Sequence, residues 1–172
     1  QLIKLNKEVP NFENKEVRSA IEVWETQIDT AYGGFKGAPK FPMPNSLEFL
    51  LRYGHQFNDK PIGSYLNKTL TKIAYGRIYD HIGGGFSRYS TDQKWHIPHF
   101  EKMLYDNAQL VSLYAKGYLK TKNELYKNVV FETLNFVKEE LTTKIESFKK
   151  ACVCVSLCLC VCVCRCVSMY VH

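Results

Sequence analysis

Apolar positions recur at helical spacing in five stretches of the chain, and polar, glycine-rich or proline-rich segments separate them. In the first, Lys15 to Thr30, the residues Val17, Ile21, Trp24 and Ile28 share one face, and Tyr32-Gly33-Gly34 ends the run. Residues 35–44 hold Pro39, Pro42 and Pro44, which predicts a loop. Asn45, with Glu48 three residues on, has the form of a capping box. The helix it opens carries Leu47, Leu50, Leu51 and Phe57, and Pro61 restarts the chain. Leu66, Leu70, Ile73 and Ile78 mark a third helix. Phe100 to Leu119 predicts a fourth through Met103, Leu104, Leu110, Leu113 and Tyr114, and Gly117 with residues 120–123 ends it. A fifth runs from Glu124 to Leu141, with Leu125, Val129, Phe136 and Val137 inward and lysines and glutamates outward. Strand signal is confined to Phe86–Trp95, which fits one short β-hairpin.

The helices belong to a repeat. Gly33-Gly34-Phe35 recurs as Gly84-Gly85-Phe86 at an offset of 51, while Lys40 and Asn45 recur as Lys102 and Asn107 at 62. Thr69-Leu70 returns as Thr133-Leu134 at 64, so about eleven residues are inserted after the second glycine loop. The order is glycine loop, inner helix, turn, outer helix, used twice. Periods of this length indicate stacked helical hairpins. The fold class is therefore all-α, an incomplete (α/α) toroid of helical hairpins whose loops gather at one end.

The insertion is where the chemistry concentrates. Residues 83–107 combine three glycines, His96 and His99, the aromatics Phe86, Tyr89, Trp95, Phe100 and Tyr105, and charges of both signs. Such a mixture suits the lining of a polar pocket better than a core or a solvated face. Elsewhere the formal charge of +6 is scattered rather than striped, and no phosphate-binding glycine loop is present. These features argue against a nucleic-acid partner, and no stretch reads as a signal or membrane segment. The reading thus carries no nucleic acid, no membrane, no cofactor and no metal, and favours the cytoplasm. A chain opening on Gln1 reads as an internal piece of a longer protein.

All seven cysteines lie between Cys152 and Cys166, alternating mainly with Val and Leu. Soft-metal binding is disfavoured because the intervening residues are apolar, and an alternating Cys/Val strand would be apolar on both faces. TGT encodes Cys and GTG encodes Val, so an alternating TG/GT tract translates to this pattern. The last 22 residues read as translated repeat without function.

Tyr32-Gly33-Gly34-Phe35, Ala38-Pro39-Lys40-Phe41-Pro42 and Gly84-Gly85-Phe86-Ser87-Arg88-Tyr89-Ser90-Thr91-Asp92 carry a resemblance, and the run from Trp95 to Leu110 is the most specific part of it. Across residues 19–143 the chain resembles the thioredoxin domain-containing proteins related to spermatogenesis-associated protein 20. The resemblance implies a parent with an N-terminal thioredoxin-like domain, followed by a six-hairpin toroid similar to N-acylglucosamine 2-epimerases and glycosidases. On that reading residues 1–14 are a linker from a missing thioredoxin-like domain, 15–146 a partial toroid, and 147–172 the aberrant tail. Arg77 stands where the family usually has glycine, and the family pattern is lost after Thr143. The implied function is binding of, or acid–base chemistry on, a carbohydrate-like small molecule, with the piece itself expected to be inactive. The alternative is a non-catalytic module serving the missing thioredoxin-like domain in redox regulation.

The catalytic candidates are His96, His99, Glu101 and Asp92. The histidines flank Pro98 at the expected entry to the fourth helix, where its dipole would favour a neutral base; capping or loop bonding is the plainer reading. Glu101 and Asp92 have the residue type of a glycosidase pair, but a first helical turn and a hairpin turn explain them as well. Arg88, Tyr89, Trp95, Lys102, Tyr105 and Asn107 are candidates to touch substrate. Ion pairing, packing and loop bracing are the competing roles.

Overall fold

The computed structural model describes residues 14–142; the Cys/Val tail and all of the inferred linker except Asn14 lie outside them. Among the described residues five helices follow in order: α1 (Asn14–Glu25), α2 (Pro44–Gln56), α3 (Lys60–Tyr75), α4 (Leu104–Thr121) and α5 (Glu124–Glu140). Short connections make hairpins of α2 with α3 and of α4 with α5. Helix α2 then lies beside α4 and α3 beside α5, giving two layers of an arc. The fold is all-α, as the periodicity predicts.

Helix ends obey local chemistry, which corrects several expected boundaries. Helix α2 begins at Pro44, because proline's fixed φ suits a first turn, and its cap is Met43 at φ 47. Asn45 is therefore inside the helix and exposed, and Glu48 pairs with Arg52 at 2.6 Å and Lys116 at 2.7 Å instead of closing a capping box. Asp59 caps α3 by accepting from Ile62 N, and Asn123 caps α5 through Leu125 N. Helix α1 stops at Glu25 because the chain must turn for Ile28 to bridge to Phe35. Helix α4 starts four residues later than Phe100, because Arg88 N donates to Glu101 O and keeps that segment extended.

The main core runs through the hairpins. Leu47, Leu66, Leu70, Ile73, Leu110 and Leu113 meet Phe86, Trp95, Tyr114 and Tyr126 there, all almost wholly buried. Two buried tyrosine hydroxyls are satisfied: Tyr114 OH donates to Leu70 O at 2.8 Å and Tyr65 OH to Gly34 O at 2.7 Å.

The repeat is physical as well as textual. Asp29 and Asp80 each accept from the backbone N–H groups two and three residues on, all at 2.9 Å. Each also receives a lysine ammonium, Lys40 on Asp29 at 2.6 Å and Lys102 on Asp80 at 2.7 Å. The glycine loops pack onto the following outer helix: a Cβ at Gly33 would lie 2.6 Å from Thr69 Cα, and one at Gly84 2.5 Å from Glu132 O. Both glycines have φ +71, so geometry and space each require that residue. Among the described residues no helix is long and apolar enough to cross a membrane.

Candidate functional site

The insertion folds against the first repeat through Ser90. Lys40 N donates to Ser90 O at 2.7 Å and Ser90 N to Lys40 O at 2.9 Å, while on its other side Ser90 bridges to Pro98. His99 N donates to Tyr89 O and Thr91 N to Ile97 O, so three extended pieces of chain lie side by side. The turn therefore spans residues 88–101 rather than Phe86–Trp95, as antiparallel bridges and not as a full hairpin.

Successive side chains in extended chain point to opposite faces. Lys40 and Ser90 accordingly go inward and are buried, whereas Phe41, Tyr89 and His99 emerge together on the outer face. Their rings form a stack, Phe41 to Tyr89 at 4.7 Å and Tyr89 to His99 at 4.6 Å between centroids. His99 Nδ1 is buried without a hydrogen-bond partner, 3.8 Å from the Glu101 carboxylate.

Beside the stack, a cleft of about 100 Å³ opens between Phe41, Met43, Pro44, Arg88, Asp106 and Leu110. Arg88 Nε sits 3.8 Å from Asp106 Oδ2, an ion pair too long for a hydrogen bond. That oxygen is buried with no hydrogen-bond partner. Burial pushes the Asp106 carboxyl above the usual carboxylate range, and the Arg88 charge only partly offsets this. The Arg88 guanidinium also lies 5.8 Å from the Tyr105 ring centroid. A larger cleft of about 350 Å³ between α1, α2 and α3 is walled by Ile21, Trp24, Leu50 and Ile62, with Glu25 its only charged side chain. It lacks the convergent polar groups of a reactive site.

Nine of the ten candidates named from sequence divide into two sets. Arg88, Tyr89, His99, Glu101 and Tyr105 surround or adjoin the cleft and ring stack. Four others are committed to holding the loops. Trp95 is fully buried at φ 66, its Nε1 donating to Tyr32 O at 2.9 Å, so no sugar face can reach it. Asn107 is equally buried; it accepts from Phe86 N at 2.7 Å and donates to Phe86 O and Met103 O. Lys102 spends its ammonium on Asp80 and Gly84 O. Asp92 gathers Ser90 Oγ and the N–H groups of Lys94, His96 and Ile97; burial opposes its charge, but these donors hold its carboxyl far below the ordinary range. It braces the turn.

His96 is exposed at that turn, outside the ring stack. Neither histidine enters a helix, since α4 begins only at Leu104, and the expected dipole effect is absent. Glu101 likewise lies in extended chain and not in a first helical turn. Phe41 and Asp106 were missed by the sequence reading. Phe41 meets Tyr89 only through the Ser90 bridge, which leaves no local trace. Among the described residues no group of three or more His, Cys, Asp and Glu side chains could hold a metal.

Comparison with known proteins gives a consistent picture. No family model matches the chain. Human spermatogenesis-associated protein 20 is 43% identical over 127 residues, 72% of this chain and 16% of that protein. The mouse protein is 44% identical over the same length and coverage. The chain thus spans about one sixth of the length of the curated relatives it matches. Among solved structures, a sugar epimerase from a ruminal bacterium overlays with TM-score 0.67 at 14% identity, covering 77% of this chain and 38% of that one. Cellobiose 2-epimerase from Bacillus thermoamylovorans overlays with TM-score 0.66 at 16% identity, over 78% and 39% of the two chains. At such identities the overlay establishes the fold, an arc of the helical toroid. The chain is homologous to one segment of spermatogenesis-associated protein 20, and that segment has the helical-toroid fold.

Proposed function

We propose that this segment supplies one wall of a carbohydrate-binding mouth in the family's toroid, with His99 as its acid–base group. One observation carries the reading: the Phe41–Tyr89–His99 stack stands beside an incompletely paired carboxylate and guanidinium at one cleft. A sugar offers a flat apolar face to aromatic rings and hydroxyls to charged hydrogen-bond partners. The overlaid structures are a sugar epimerase and a cellobiose 2-epimerase, and they lend support from fold alone.

Glu101, 3.8 Å from His99 Nδ1, is the carboxylate placed to orient the ring. In an epimerisation His99 as base would remove a proton from the carbon beside a carbonyl to leave an enediolate, and the proton held on His99 would return to the opposite face once the enediolate turns that face to the imidazole.

The test is a nuclear magnetic resonance titration of the 172-residue chain with cellobiose. Shifts are expected at Tyr89 and His99, with binding weakened about tenfold in Tyr89→Ala. Millimolar cellobiose that moves neither residue would refute the proposal.

A further inference from the structure

The cleft next to the ring stack has a chemical asymmetry that goes beyond binding a sugar of some kind. Its polar wall is made by Arg88 and Asp106, held 3.8 Å apart. Asp106 Oδ2 is buried without a hydrogen-bond partner, while the side chain as a whole is 23% exposed. The rest of the wall is apolar, from Phe41, Met43, Pro44 and Leu110. A carboxylate and a guanidinium at this spacing leave a gap that a small group can bridge by donating to one and accepting from the other. A hydroxyl does both; an ammonium or a carboxylate does only one.

The charges around the cleft sharpen the choice. Asp106 and Glu101 bring two carboxylates and Arg88 one cation. Lys102 does not redress the balance, because its ammonium is bound to Asp80 and Gly84 O. An anionic group entering here would gain Arg88 but face Asp106 at close range, and like charges at such distances repel strongly in a partly desolvated site. The volume, about 100 Å³, corresponds to roughly three water molecules and accommodates a hydroxymethyl group.

We infer that the Arg88–Asp106 cleft is a subsite for a neutral hydroxyl-bearing group, so that the mouth selects uncharged sugars over uronates and sugar phosphates. The inference rests on the carbohydrate reading above and specifies which sugars that mouth accepts.

The experiment titrates the 172-residue chain and its Asp106→Asn variant with glucose, glucuronate and glucose 6-phosphate at low salt, reading Tyr89 and His99 resonances. The native chain is expected to bind glucose about tenfold more tightly than either anion. In Asp106→Asn that preference should fall close to unity, because the anions no longer meet a like charge. Arg88→Gln is the second variant, and it should widen the preference by removing the counter-charge that Arg88 offers an anion. An anion bound as tightly as glucose by the native chain would overturn the subsite, as would a preference indifferent to both variants. Those results arise with sugars still shifting Tyr89 and His99. If no sugar of either charge shifts them, the carbohydrate reading itself fails.

Discussion

Replacing Lys40 by methionine tests how the first repeat holds the inserted segment. The ammonium is buried, its side chain only 1% exposed, and it serves Asp29 at 2.6 Å and Gln93 O at 3.1 Å. It also lies 5.1 Å from the Trp95 ring centroid. Methionine keeps the stem's length and loses all three interactions. Breaking one partner of a buried pair costs about 3–5 kcal/mol, because the other charge is left uncompensated. Asp29 keeps two backbone donors at 2.9 Å, which places the expected loss at the lower end, about 3 kcal/mol. Lys102→Met is the internal control. It removes the same pair from the second repeat, where the lysine and aspartate side chains are 22% and 38% exposed, and should cost about 1 kcal/mol. Urea unfolding followed by tryptophan emission measures both, since the fully buried Trp95 sits against Lys40. A loss under about 1 kcal/mol for Lys40→Met, or equal losses for the two variants, would refute the claim that Lys40 fastens the insertion.

Two further outcomes follow from the repeat geometry. Lys102 first, then the Gly83 and Ile82 N–H groups, hold the Asp80 carboxyl down to about 2. A carboxyl lowered by folding adds stability above its unfolded value, and that stability is lost as pH falls through its native value. Asp80→Asn should therefore be less stable than the native chain at pH 7, with the gap closing between about pH 4 and pH 2 in urea midpoints. A gap constant across that range would sever the link to the carboxylate. At the glycines, Gly84→Ala meets both φ +71 and Glu132 O at 2.5 Å, whereas Gly37→Ala meets a positive φ with nothing within 4 Å. The first should cost at least about 1 kcal/mol more than the second, read as the difference in thermal midpoint.

The helices were legible because each has an apolar face and a polar one, and periodicity reports that directly. Their ends were less so. Pro44 reads as a breaker until its place in a first turn is known, and Asn45 mimics a cap one residue inside the helix. The glycine loops were found as a repeat, yet Asp29 and Asp80 stand at the same offset of 51 and were passed over, although they anchor both latches. At the site, residue type alone could not separate reach from burial. Trp95 and Tyr89 lie six positions apart in one aromatic stretch, but one fills the core and the other faces outward. The decision rests with Ser90, whose two bridges set which side chains turn inward, and such long-range pairing has no signature in a single local window.

The pairing at Ser90 has an engineering consequence. Phe41 comes from the loop before the first helical hairpin, Tyr89 and His99 from the chain entering the second, and Asp106 from the first turn of α4. Neither hairpin owns the surface, so excising or swapping one of them would carry away half a mouth. A transplantable cassette must run at least from Asp29, which latches Lys40, through Leu110, which walls the cleft. Any graft shorter than that would move the rings without the scaffolding that aligns them.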